Sequence, residues 1–157
     1  MKKIISLLVI AFVFASCSEE ISRNNPAFEG LKDNVIWRAG GATGTLAANG
    51  FVTISGGLQF ETLTLHTNSA QPQTYQLGVN NQSRVVFTST AGFEEVTYTT
   101  GTGVGNGQII IEEYDEAGRT ISGTFRFNAI NTEDPDDVLN FQEGVFYKVP
   151  IYPAVED

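Results

Sequence analysis

The stretch RTISGTFRFNAI, at positions 119–130, sets a period that only one kind of backbone satisfies. Ile121, Gly123, Phe125, Phe127 and Ala129 fall on one side of it, and Ser122, Thr124, Arg126 and Asn128 on the other. Successive side chains of a strand point to opposite faces, so this alternation predicts a strand with one face in a core and one in water. Just upstream, in GQIIIEEYDEAGR, the segment from Ile109 to Tyr114 runs into Asp115-Glu116-Ala117-Gly118, where Gly118 offers a positive φ. The two segments predict a β-hairpin. The same period recurs at Val52 and Ile54, at Tyr75, Leu77 and Val79, and at Val85 and Phe87. In LQFETLTLH the apolar phase shifts between Phe60 and Leu63, which predicts a bulge near Glu61 and Thr62. Gly144, within DVLNFQEGVFYKVPIY, predicts a second bulge or bend among the last strands. No helical period and no internal repeat interrupts this pattern. With no helix to carry a crossover, consecutive strands should pair antiparallel. The expected fold class is all-β: a single domain of about eight or nine strands, as an antiparallel β-sandwich or β-barrel.

The N-terminus carries a different signal. Lys2 and Lys3 precede an apolar run over residues 4–15 that ends in the small Ala15 and is followed by Ser16 and the sole cysteine, Cys17. The run is shorter than the ~20 residues a spanning helix needs and matches the core of a signal peptide. Basic residues, a short apolar run and Ala-Ser-Cys together resemble a bacterial lipoprotein signal peptide, with Phe14 standing where that family has Leu, Val or Ile. The resemblance implies that residues 1–16 are cleaved and that Cys17 becomes the acylated first residue. Two or three acyl chains, at ~0.8 kcal/mol per buried methylene, then hold a protein on a membrane essentially permanently. Ser18, Glu19 and Glu20 resemble the acidic tether by which Bacteroidota lipoproteins are exported to the outer cell surface; a solvated linker on a periplasm-facing protein is the alternative. Residues 17–28 are thus read as acylated cysteine and tether, and residues 29–157 as the β domain.

Cleavage would leave 141 residues, with seven basic side chains against eighteen acidic ones, a side-chain charge of −11. Such a surface repels nucleic acid and anionic headgroups, so no nucleic-acid partner is expected, and the membrane is reached through the lipid alone. With no cysteine after Cys17, the domain has neither disulfides nor thiolate metal sites to stabilise it. Burial must do that work, and nine of the eleven phenylalanines lie beyond Cys17.

Candidates for chemistry are few, and no cofactor is called for. The string GTGVGNG, at 101–107, misses the G-x-G-x-x-G spacing and precedes a strand, which makes it a mobile hairpin loop. Glu133, Asp134, Asp136 and Asp137 crowd one loop around Pro135 and are weak candidates for Ca²⁺, although their spacing is not that of a calcium loop. His66, the sole histidine, lacks partners for zinc and any nucleophile motif. Trp37 and Tyr98 are candidate ligand-facing aromatics: Trp37 on a strand more often belongs to a core, and Tyr98, flanked by threonines, is the better exposed ring.

The lipoprotein signal, an NPAF entry, a Trp-bearing first strand, the late ISGTFRFNA strand and a closing EGVFYKVPI are together similar to a family of short Bacteroidota lipoproteins of unknown function. That resemblance implies a β-rich fold and an envelope location, and no catalytic or binding residue comes with it. The expected function is a non-enzymatic, lipid-anchored binding or accessory module of the outer membrane, with a glycan or an envelope protein as its partner. The alternatives are a small glycan hydrolase working through paired carboxylates, which needs an aromatic-lined cleft holding two of them, and a lipocalin-like carrier of an apolar ligand, which needs a deep empty interior.

Overall fold

The computed structural model describes residues 27–92 and 94–154, and the expectations for the signal peptide, Cys17, Ser18, Glu19 and Glu20 lie outside them. The described residues form eleven strands and no helix. In chain order these are β1 (Ala27–Lys32), β2 (Val35–Arg38), β3 (Ala42–Leu46), β4 (Val52–Leu58), β5 (Glu61–Thr67), β6 (Gln73–Leu77), β7 (Arg84–Ser89), β8 (Val96–Thr99), β9 (Asn106–Asp115), β10 (Thr120–Asn131) and β11 (Val138–Pro153). The all-β class is as the periodicity predicts. The count exceeds eight or nine because β2, β3 and β8 are short and carry little alternation: VIWR, ATGTL and VTYT.

All eleven strands join one sheet, in the order β2-β1-β11-β3-β4-β5-β7-β8-β10-β9-β6, and an additional ladder links β11 to β10. That ladder closes the run from β11 through β3, β4, β5, β7 and β8 to β10 into a hydrogen-bonded circuit, while β1–β2 and β9–β6 extend from it as flanking pairs. The pairing is antiparallel except where Ile151, Tyr152 and Pro153 of β11 run parallel to Gly44, Thr45 and Leu46 of β3. A parallel pair needs no helix here, because the intervening chain is itself the rest of the circuit.

One long strand makes this possible. At 16 residues, β11 is longer than the ~3–10 typical of strands, and it serves β1, β10 and β3 in turn. Its registers slip opposite Glu143 and Lys148, each at positive φ (51° and 47°), as expected of bulges that bend a strand. The bend expected at Gly144 therefore falls one residue earlier. Gly144 has its own reason to be glycine: a Cβ there would meet the Phe125 ring at 2.5 Å.

Two local expectations are corrected. The phase shift near Glu61 and Thr62 is a two-residue hairpin turn at Gln59 and Phe60, with Leu58 paired to Glu61 and Gln59 at φ 54°. In the β9–β10 hairpin the positive φ belongs to Arg119 (52°), while the Asp115 carboxylate closes on Gly118 and accepts its N–H at 2.8 Å.

The face predicted to be core is core: Ile121, Phe125, Phe127 and Ala129 are buried. Their partners come from across the circuit and from the flanking β1, with Phe141 of β11 stacked on Phe127 at 5.1 Å, Phe87 of β7 6.2 Å from Phe141, and Phe28 of β1 5.5 Å from Phe125. Rings from opposite sides meet, so the interior is filled with side chains. Ser122, on the predicted wet face, is buried because the bulge at Lys148 turns that residue's N–H onto the serine hydroxyl at 2.9 Å.

Candidate functional site

The wet face of β9, β10 and β11 carries an unusual residue type. Asn is disfavoured in strand interiors, where it competes for backbone hydrogen bonds, yet Asn128 and Asn140 sit within β10 and β11. The ladders put Asn106 beside Asn128 and Asn128 beside Asn140, and they put Gln76 beside Gln108 and Gln108 beside Arg126. Two rows of polar side chains therefore cross four neighbouring strands, β6, β9, β10 and β11.

Together they line an open groove of about 620 Å³, with Gln76, Asn106, Gln108, Asn128, Asn140 and Gln142 supplying amides and, among the described residues, Arg126 and Glu143 the only charges. Such a volume lies within the ~300–1,000 Å³ of small-molecule sites. Gly107 sits at its floor with φ 132°, and a Cβ there would meet the Arg126 carbonyl at 2.2 Å, so only glycine lets β9 approach β10 at this point. The rings of Phe127 and Phe141 face the core below.

The amides order one another head to tail. Asn128 Nδ2 donates to Asn106 Oδ1 at 3.0 Å, Asn140 Nδ2 to Asn128 Oδ1 at 2.7 Å, and Gln142 Nε2 to Asn140 Oδ1 at 2.8 Å. Each amide has two N–H donors and an oxygen with two lone pairs, so the relay fixes the planes while leaving donors and acceptors directed at the groove.

A second hollow of about 270 Å³ continues from the first through Gln108, Arg126 and Glu143, and adds Ile110, Thr124 and Val145. A third, of about 210 Å³, is lined by Glu29, Gly30, Leu31, Ile36 and again Glu143. Glu143 thus stands where three depressions meet, on a bulge that holds a non-glycine residue in the left-handed region.

The residues singled out in the sequence lie elsewhere. Trp37, a candidate ligand-facing ring, is 2 % exposed and packs edge-on against Phe28 and Phe141, so it belongs to the core. Its Nε1 has no hydrogen-bond partner among the described residues. Tyr98 is half-buried rather than exposed: it packs 6.2 Å from Phe87, and its hydroxyl donates to Asp137 Oδ2 at 2.7 Å. Desolvation, then that hydrogen bond and the charges of Asp137, Asp33 and Asp134, push its pKa up to about 12. Asp137 also accepts from Asn131 Nδ2 at 2.9 Å, and the bonds from Asn131 and Tyr98 hold its carboxyl below the usual range.

The acidic loop is therefore tied to β8 and β10. Among the described residues no three His, Cys, Asp or Glu side chains converge as a metal-binding group, and Glu133, Asp134, Asp136 and Asp137 are not brought together. Asp134 instead accepts the Asp136 backbone N–H at 3.1 Å. His66 lies beside Thr53, with Nδ1 3.1 Å from Oγ1, and burial followed by the charge of Arg84 lowers its pKa to about 4. An imidazole that weakly basic makes a poor general base near neutral pH. The glycine string is a packed turn: Gly101 and Val104 form a bridge, and Gly105, at φ 64°, lies where a Cβ would meet the Asn128 carbonyl at 2.4 Å.

The amide groove was missed because each amide alone is a routine polar residue. A usable signal was present in the recurrence of Asn and Gln at wet positions of FRFNA and LNFQE, where strands favour β-branched or aromatic residues. No curated protein and no solved structure matches the chain. A family model described as a domain of unknown function, DUF6252, matches residues 24–150, and the chain belongs to that family.

Proposed function

We propose that this protein is a lipid-anchored, non-enzymatic binding module of the outer membrane, facing the cell surface, and that the amide-lined groove holds its ligand. The observation that carries the reading is the groove itself: side-chain donors and acceptors that order one another across β9, β10 and β11 form a preorganised surface. Cys17 supplies the anchor, and Ser18, Glu19 and Glu20 begin the tether. We read the ladder circuit as a closed, barrel-like body, with the groove on its outer wall and an aromatic core inside it.

The same geometry disfavours the other readings. A hydrolase of the two-carboxylate kind finds one carboxylate, Glu143, in the groove; the second acid nearby, Glu29, is paired with Arg38 at 2.9 Å. A carrier of apolar ligands would need an interior that Phe28, Phe87, Phe125, Phe127 and Phe141 already fill.

The test uses the ¹⁵N-labelled mature domain, titrated with detergent-solubilised outer-membrane extract and followed by NMR. Saturable shifts in the side-chain amides of Asn106, Gln108, Asn128, Asn140 and Gln142 are expected, with no turnover of glycoside, ester or peptide substrates. Turnover of any of these, or shifts confined to other surfaces, would overturn the reading.

A further inference from the structure

We propose that the groove takes a neutral oligosaccharide, an inference that rests on the reading of the groove as the ligand site. Three observations on the molecule favour that class. First, the recognition chemistry is side-chain amide: six Asn and Gln residues face the groove, and each pairs a donor with an acceptor at a spacing that neighbouring sugar hydroxyls, themselves donor and acceptor at once, can satisfy. The backbones of β9, β10 and β11 are engaged by neighbouring strands on both sides, so these strands present mainly their side chains. A peptide recognised by strand addition needs an open edge, and the groove's one strand at the end of the sheet order, β6, contributes a single lining residue, Gln76.

Second, the charge is balanced. The chain carries a net charge of −9, yet the groove's lining holds one cation, Arg126, and one anion, Glu143. A polyanion would meet an acidic molecule with a single compensating arginine, whereas a neutral chain of hydroxyls meets no such barrier. Carboxylate and guanidinium groups each make charge-assisted hydrogen bonds to hydroxyls, so both charges serve a polyol.

Third, the site extends. Four strands at ~4.8 Å spacing give a trough about 14 Å across, which suits several linked sugar rings better than one. The adjoining hollow, with Ile110 and Val145 beside Thr124, presents an apolar patch to the C–H faces that sugar rings also carry. Glu143, held at φ 51° by the bulge, lies where the amide and apolar parts meet and can accept hydroxyls from either side.

The probes are short neutral gluco-, manno- and xylo-oligosaccharides, an oligogalacturonate and a Gly-Ser peptide, each titrated into the labelled mature domain. At least one neutral sugar is expected to shift the groove's side-chain amides saturably. Gln108→Ala and Glu143→Gln should each weaken that binding about tenfold, and Thr43→Ala, at an exposed position of β3 outside the groove, should leave it unchanged. Backbone spectra of the variants report that each is folded. Preference for oligogalacturonate or the peptide, equal binding by the variants, or no response to any neutral sugar would overturn the oligosaccharide assignment. If the membrane extract still shifts the groove while no sugar does, the binding-module reading stands and only the ligand class falls.

Discussion

Among single residues, Cys17, His66 and Tyr98 each carry a consequence that one substitution can reveal. Cys17→Ala should release the protein from membranes and abolish its labelling by a radioactive fatty acid; persistence of the label would refute the anchor. His66 titrates at about 4 in the fold against an ordinary 6.5, so between those values the unfolded chain binds more protons. Stability therefore rises with pH across that window and falls as pH drops from 6.5 toward 4. The ring is partly open to solvent, which reduces the effect to about 1–2 kcal/mol. His66→Gln should flatten this part of the profile in denaturant melts taken at several pH values. Tyr98 has the opposite sense: with its pKa raised to about 12, the stability it contributes is whole below its ordinary 10 and is lost as pH rises toward 12. Ultraviolet titration should show a phenol ionising near pH 12, and Tyr98→Phe should remove that step. Little of this could be read from sequence, since each shift depends on partners far along the chain, 39 residues away for Tyr98 and Asp137.

At the scale of elements, glycines separate close packing from idle space. Gly123 lies under β9, where a Cβ would come within 2.0 Å of the Ile110 carbonyl and 2.5 Å of the Phe146 ring. Gly123→Ala should cost about 3 kcal/mol, or prevent folding altogether. Gly41 precedes β3 with no positive φ, and a methyl added there would have nothing within 4 Å, so Gly41→Ala should be neutral or stabilise by about 0.4–1 kcal/mol. Emission of Trp37, the sole tryptophan and fully buried, reports both in denaturant titrations. The strong strands were legible: β10 shows its core face residue by residue, and the β9–β10 hairpin follows from the turn after Tyr114. The short strands were not. In β2, Val35 and Ile36 are exposed and only Trp37 is buried, so that strand is defined by its ladder to β1 rather than by a pattern of its own.

At the scale of the whole molecule, the decisive contact is the parallel ladder between the end of β11 and β3. Removing residues 150–157 would take away the strand end that closes the circuit. The shortened domain should then lose its single cooperative thermal transition, whereas the mature chain should show one. Ile151→Ala, which hollows the buried joint without removing it, should cost about 2–5 kcal/mol and keep the transition cooperative. The all-β class, the buried face of β10 and the β9–β10 hairpin were legible in the sequence, because each rests on neighbours within a few residues, where the strand period and turn chemistry act. Only the tertiary structure decided that β11 would bend at Glu143 and Lys148 to serve three partners, that Trp37 would be core, and that scattered amides would meet. A groove assembled from Gln76, Asn106, Asn128 and Asn140 depends on the registers of four strands; the turn can set that of the β9–β10 hairpin, but β6 meets β9 only through a pairing between segments about 30 residues apart, which no local turn specifies.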